Sequence, residues 1–208
     1  MIRVLLADDH QLVRDGLKGI LGAASGIEVA AEAASGDEAL ALVRAQAFDL
    51  ALLDLSMPGL SGIDLIKRLR LERPGLRILV LSMHGEQQYA ARALKAGAAG
   101  YLTKDTAAEQ LVSALRRVAG GGVAISEATA ASLLESARGG DVPLHSLLSD
   151  REFEVFRLLA AGRTPTEIAE RLHLSVKTVS THKARLQQKL NVASTAELVR
   201  YALEHGLL

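Results

Sequence analysis

Over its first 120 residues the chain alternates short apolar runs with segments of helical period, and few architectures accommodate that alternation. The runs are Ile2 to Ala7, Ile27 to Ala31, Asp49 to Asp54, Arg77 to Ser82 and Ala98 to Leu102. Helical patterns cover Gln11 to Leu21, Asp37 to Ala45, Ile63 to Leu71, Glu86 to Lys95 and Ala107 to Val118. Several runs are continuously apolar, as parallel strands covered on both faces require. Parallel neighbours need crossover connections, which are right-handed. The pattern predicts a doubly wound α/β domain with a five-stranded parallel sheet.

Ligands of such sheets bind beyond the carboxyl ends of the strands. Polar residues stand at four of those ends: Asp8 and Asp9 after the first run, Asp54 closing the third, Ser82 closing the fourth, and Lys104 after the fifth. Any one acid alone reads as a strand-end cap. Together they form an inventory for holding a divalent cation and a phosphoryl group. A carboxylate can act as nucleophile toward phosphorus, and Asp54 leads into the turn Ser56-Met57-Pro58-Gly59. Gathering Asp8, Asp9 and Asp54 without a cation would raise at least one pKa. A hard ion resolves this, and Mg²⁺ suits few carboxylates, water and phosphate oxygen. The backbone carbonyl of Ser56 is a further candidate ligand. Lys104 and the Ser82 hydroxyl would meet phosphoryl oxygens.

The rest of the chain is organised differently. Glycine clusters at 120–122 and 139–140 bracket a connecting segment, 121–143, in which 126–137 could form a short helix. From 144 to 208 the pattern is helical throughout. Ser149 with Glu152, Thr164 with Glu167, and Ser194 with Glu197 spell capping boxes, and Pro165 suits a first helical position. Four helices are predicted, at about 150–161, 165–172, 176–189 and 195–205. In the third, Val176, Val179, Leu186 and Leu190 fall on one stripe that should face the core. The opposite face carries Lys177, Ser180, Thr181, Ala184, Arg185 and Gln188, with Thr178 beside them. Arg171, Lys177, Lys183, Arg185 and Lys189 are unaccompanied by any acid from 171 to 189. Small side chains flanked by bases let a helix approach base edges while Lys and Arg reach phosphates. The short link His173-Leu174-Ser175 gives helix-turn-helix spacing over 165–184. Leu198, Tyr201, Ala202 and Leu208 are expected on the apolar side of the last helix.

Composition narrows the classes further. A length of 208 residues is comfortable for two domains. The chain has no cysteine, which excludes disulfides and thiolate metal sites and suits a cytoplasmic setting. No apolar stretch approaches the roughly 18 residues of a membrane span.

Asp8-Asp9, Asp54 with Met57-Pro58-Gly59 and Gly62, Ser82, and Tyr101 with Lys104 resemble the receiver domain of response regulators. Leu148-Ser-Asp-Arg-Glu, Glu167-Ile-Ala-Glu-Arg-Leu and Ser175-Val-Lys-Thr-Val-Ser-Thr-His resemble the LuxR-type helix-turn-helix, and their order along the chain is that of the NarL/FixJ group. The resemblance implies a flavodoxin-like strand order 2-1-3-4-5 and phosphorylation of Asp54 by a histidine kinase with Mg²⁺. It also implies a switch through Ser82 and Tyr101, base contacts from positions 180, 181 and 184, and a homodimer on promoter DNA. It implies a regulator, not an enzyme beyond its own phosphotransfer and autodephosphorylation. Ala184 offers no hydrogen bond to a base, so readout is expected either to be modest or to depend on methyl contacts and DNA shape. His182 is expected to pack or to face phosphate, and His84 to be solvated surface. One rival, an aspartyl-phosphate phosphohydrolase, would want an acid where Ser56 stands. The other is an interaction module with an unphosphorylated receiver, and the intact acids, Ser82 and Lys104 argue against it.

Overall fold

A computed structural model of the chain describes residues 1–60, 62–82, 87–126, 130–131 and 143–208. His84 and most of the expected helix at 126–137 lie outside the described residues. Two compact units emerge, Met1–Leu133 and Leu134–Leu208.

The first unit contains strands β1 (Ile2–Ala7), β2 (Ile27–Ala33), β3 (Leu50–Leu53), β4 (Arg77–Ser82) and β5 (Gly100–Thr103), all parallel, in the order β2-β1-β3-β4-β5. Between and after them run α1 (Gln11–Gly22), α2 (Gly36–Ala45), α3 (Gly62–Glu72), α4 (Gln87–Lys95) and α5 (Ala108–Ala119). The apolar runs are central strands: Val4 to Ala7, Leu50 to Leu53 and Ile78 to Val80 are essentially inaccessible. Alternate residues face opposite sides of a sheet. Val4, Leu6, Leu50, Leu52, Leu79 and Leu81 thus form one core with Leu17 and Leu21 of α1 and Leu111, Leu115 and Val118 of α5. Leu5, Ala51, Leu53, Ile78 and Val80 serve the other face, where α2, α3 and α4 pack in turn. In α5 the buried set Leu111, Ala114, Leu115 and Val118 repeats at three and four residues, the stripe a sheet-covering helix needs. β5 is not bare on its outer side. Ala124 pairs with Gly100, and Tyr101 N–H donates to Ala124 O at 2.8 Å. Gly100 is required there, since a Cβ would lie 2.7 Å from Ala124 O and from Leu79 Cδ1.

The register aligns the strand tips. Ala7 pairs with Leu53, so Asp8 and Asp54 follow in step, and Asp54 N–H donates to Ala7 O at 2.8 Å. Ser82 pairs with Thr103, which brings Lys104 next, its N–H on Ser82 O at 2.8 Å.

The second unit holds a 3-10 turn (Leu144–Leu147) and helices α6 (Asp150–Ala160), α7 (Pro165–Leu172), α8 (Val176–Leu190) and α9 (Thr195–Glu204). The 3-10 turn lies outside the four helices that the sequence predicts; it buries His145, whose Nδ1 lies 2.9 Å from the Tyr201 hydroxyl. The core comprises Phe153, Val155, Phe156 and Leu159 from α6, Ile168 and Leu172 from α7, Val179, Leu186 and Leu190 from α8, and Leu198 and Ala202 from α9. Capping boxes close at Ser149–Glu152 and Thr164–Glu167. At Ser194 the box is incomplete. Ser194 Oγ accepts from Glu197 N–H, but the Glu197 carboxylate accepts from Ala193, one residue before the cap. Two further expectations fail. Val176, the first residue of α8, is 46% exposed, whereas Val179 one turn on is buried. Leu208 is also exposed and Leu207 buried instead, since α9 ends at Glu204 and Gly206 turns the chain at φ 63.

Candidate functional site

Asp8, Asp54 and Lys104 meet at the carboxyl edge of the sheet. Lys104 Nζ donates to Asp8 Oδ2 at 2.5 Å and to Asp54 Oδ2 at 2.9 Å, and all three side chains are 8% exposed or less. Asp8 Oδ1 accepts from the His10 N–H at 2.8 Å, and Asp54 Oδ1 accepts from the Ser56 N–H at 3.1 Å. Each oxygen of the two acids is therefore engaged. Burial raises the Asp54 carboxyl above the ordinary carboxylate range, with the Asp8 charge adding and Lys104 and the Ser56 amide opposing. Burial works to lower the Lys104 ammonium, but its bonds to Asp8 and Asp54 outweigh this and raise it. The lysine stays charged, which the two neighbouring acids require.

Asp9 is arranged differently. Its Oδ1 is buried and accepts no hydrogen bond, although His10 Nδ1 lies 2.8 Å away. One ligand atom each from Asp8, Asp9, His10 and Asp54 fit within 4.8 Å of one another. Three carboxylates facing one ammonium, with an unsatisfied buried oxygen among them, suit a hard divalent cation. Ser82 is buried at the tip of β4, and Tyr101 is buried on β5, in register with Val80.

Two supports escaped the sequence. Arg14 lies on the core stripe of α1 with Leu17 and Leu21, and a charge on an apolar stripe was the available signal. Its guanidinium donates to Asp8 O at 2.5 Å and to Glu32 at 3.3 Å, fixing the backbone that carries the acids. The loop after Asp54 is held on the other side. Gly36 N–H donates to Pro58 O at 3.3 Å and Asp37 Oδ2 accepts from Leu60 N–H at 3.3 Å. A Cβ on Gly36 would sit 1.5 Å from Leu60 O, and Gly59 has φ 81 with Asp37 Oδ2 where its Cβ would go.

The second candidate site is the outer face of α8. The turn that presents it uses a left-handed His173 (φ 51), and Ser175 caps α8 by accepting from Thr178 N–H at 3.0 Å. Lys177, Ser180, Thr181, Ala184, Arg185 and Gln188 are all exposed, and Val176 joins them. Thr178 is only half-exposed, with its hydroxyl 2.8 Å from Ser175 Oγ, so it serves the cap. Ser180 and Thr181 donate their hydroxyls to the carbonyls of Val176 and Lys177, both at 2.9 Å. Their outward chemistry is an acceptor oxygen and, for Thr181, a methyl group. The basic stripe is shorter than its sequence implies. Lys189, although exposed, is tied to Glu152 at 2.6 Å and Leu147 O at 3.2 Å, so its charge is already paired. His182 is half-buried, and burial lowers its imidazole below the ordinary range, helped by Arg151 and Arg185 and opposed by Glu152.

Comparison with known proteins matches both units to families. Residues 4–116 match the response regulator receiver domain, and residues 146–202 match the bacterial regulatory proteins of the luxR family. The chain is 42% identical to the transcriptional regulatory protein MctR of Rhizobium johnstonii, over all of this chain and 95% of that protein. It is 38% identical to the response regulator UvrY of Escherichia coli K12, over all of this chain and 96% of that one. Among solved structures, RcsB of Salmonella typhimurium superposes with a TM-score of 0.77 at 30% identity, covering 98% of each chain. RcsB of Salmonella enterica serovar Typhimurium, bound to promoter DNA with the phosphomimetic BeF3−, superposes at 0.73 with 30% identity, covering 96% of this chain and 97% of that one.

Proposed function

We propose that this chain, which belongs to the NarL/FixJ family of response regulators and is a transcriptional regulator with a LuxR-type DNA-binding domain, accepts a phosphoryl group on Asp54. Residues 1–120 act as receiver, 121–143 as connection and 144–208 as DNA reader. A histidine kinase is the donor. An Asp54 carboxylate oxygen forms a bond to phosphorus as the bond from phosphorus to the kinase imidazole breaks, and the imidazole nitrogen recovers its lone pair. The observation that carries this reading is the Lys104 ammonium spanning Asp8 and Asp54 at register-matched strand ends.

Asp8, Asp9, Asp54 and the Ser56 carbonyl are the candidates to hold Mg²⁺. When bound, the ion supplies charge neutralisation between the carboxylates and the phosphoryl oxygens. Lys104 pairs with one phosphoryl oxygen and the Ser82 hydroxyl donates to another. Conversion of the Asp54 carboxylate to an acyl phosphate removes the charge that Lys104 now pairs with and places phosphoryl oxygens nearby, so the lysine re-aims. That re-aiming, with Ser82 and Tyr101, is the switch. Going from 1:99 to 99:1 needs about 5.5 kcal/mol of differential stabilisation, within reach of several charge-assisted hydrogen bonds. The chemistry ends with slow autodephosphorylation of Asp54 and no turnover of other substrates.

The output is double-stranded promoter DNA bound by a homodimer in the cytoplasm. Lys177 and Arg185 approach phosphates, and Ser180, Thr181, Ala184 and Gln188 approach base edges, with Thr178 fixing the helix start. RcsB bound to promoter DNA in the presence of BeF3− supports this assignment. Wild type and Asp54→Ala, each given Mg²⁺ and a small acyl phosphate, decide the matter by intact mass and DNA affinity. A hydroxylamine-labile phosphoryl adduct and tighter promoter binding in wild type alone are expected. Equal promoter binding by the two proteins refutes the switch.

A further inference from the structure

We propose that His10 is a nitrogen donor at the cation site and sets which divalent ions that site prefers. The inference rests on the reading above, in which Asp8, Asp9 and Asp54 hold a divalent ion.

His10 occupies the N-cap position of α1, yet its side chain makes no capping hydrogen bond. Ser, Thr, Asp or Asn would cap there and His is not among the favoured residues. Its backbone instead donates to Asp8 Oδ1, which swings the imidazole over the acids. Nδ1 then stands 2.8 Å from Asp9 Oδ1 and 3.5 Å from Asp8 Oδ1, on a ring that is 67% exposed. In an octahedron with bonds of about 2.1 Å, adjacent donors lie about 3.0 Å apart and opposite donors about 4.2 Å. The Asp9 spacing is that of adjacent donors, and the Asp8 spacing falls between the two values. Asp9 Oδ1 is buried with no hydrogen bond, so that oxygen gains most from a cation placed between it and the ring.

Donor type then decides selectivity. Carboxylate, carbonyl and water suit Mg²⁺, whereas imidazole favours Co²⁺, Ni²⁺ and Zn²⁺. Mg²⁺ also dehydrates reluctantly and keeps water where a nitrogen is offered. His10 therefore adds little for Mg²⁺ and strengthens the later transition ions.

The test titrates Mg²⁺, Co²⁺ and Ni²⁺ into full-length wild type, His10→Ala and His10→Gln. A pH of about 8, above the ordinary imidazole range, keeps free histidine neutral. Asp9→Asn, titrated in parallel, identifies binding to other histidines. In both His10 variants the Ni²⁺-over-Mg²⁺ preference is expected to fall at least about tenfold, the minimum seen when even an outer partner of a ligand is lost. Mg²⁺ affinity is expected to change less than about twofold. Wild type loaded with Co²⁺ should show ligand-field bands that shift in His10→Gln. An unchanged preference, parallel weakening of all three ions, or identical Co²⁺ spectra overturns the proposal. If Mg²⁺ fails to bind, or binds equally to Asp9→Asn, the carboxylate reading itself fails. If Mg²⁺ binds normally and only the His10 dependence is missing, this inference alone falls.

Discussion

Replacing Lys104 by methionine keeps much of the side chain's bulk and removes its charge. Two contacts are lost, at 2.5 Å to Asp8 and 2.9 Å to Asp54, among side chains that are almost fully covered. At an effective dielectric of about 20, each is worth roughly 6 kcal/mol of attraction, most of which offsets the desolvation of the charges involved. Removing one partner from such a cluster costs about 3–5 kcal/mol, because the remaining charges are left buried and uncompensated. Protonation sets a ceiling, since holding an ordinary aspartate neutral at pH 7 costs roughly 4 kcal/mol. Asp54 is the acid that takes the proton, being raised already by burial and by Asp8. The variant is therefore expected to lose about 3–4 kcal/mol at pH 7 and under about 1 kcal/mol near pH 4.5. The sign follows from linkage. In Lys104→Met the folded state binds more protons than the unfolded state across this window, so stability rises as pH falls. Hydrogen-exchange protection of amides in β3 and β4, measured without metal at both pH values, isolates the receiver from the rest of the chain. Adding Asp54→Asn to the variant should recover most of the loss at pH 7. Equal losses at the two pH values, or no recovery in the double variant, would refute the electrostatic account.

Asp54→Asn alone should stabilise the metal-free protein by about 1 kcal/mol at pH 7, since a raised folded pKa means ionisation opposes folding above the carboxylate range; thermal melting should show the gain vanish in acid. Burial opposes ionisation of Glu152, but Lys189 and the Ser149 amide prevail and its carboxyl is lowered. Glu152→Gln should then cost about 1 kcal/mol at neutral pH, a benefit the wild type loses as pH falls through the folded value below about 4.5. Gly36→Ala drives a Cβ into Leu60 O and should cost about 2–3 kcal/mol while slowing Asp54 phosphorylation, as read by urea unfolding and phosphoryl uptake. Lys177→Ala should weaken binding to all DNA sequences and reduce the salt slope by about one, whereas Thr181→Ala should alter base preference with an unchanged slope.

Much of the receiver was legible because both faces of its central strands are buried. A run such as Leu50 to Leu53 has no solvent side, so its period and its end are plain in the letters. The strand-tip rule then located Asp8, Asp54, Ser82 and Lys104 without any knowledge of register. What stayed hidden depends on directions that spacing does not encode. His10 carries no signal in the sequence, and only the distances from its ring nitrogen to Asp8 and Asp9 show where the ring points. Arg14 stays hidden because a lone charge in an amphipathic pattern reads as surface. Lys189 was counted with the basic stripe, yet its flexible stem lets it reach back to Glu152. Val176 and Leu208 were misplaced for a common reason. Helical phase is a good guide in mid-helix and a poor one in the first turn and past the last.

The pairing of Ala124 with Gly100 bears on how this protein can be taken apart. Receivers are attractive parts for grafting onto other outputs, and a splice just after α5 looks natural. It would strip the Tyr101 amide and the Ala99 carbonyl of their partners and bare a strand edge to any passing chain. Chimeras joined beyond residue 124 retain that selvage and should remain monodisperse, while those cut at 120 should self-associate.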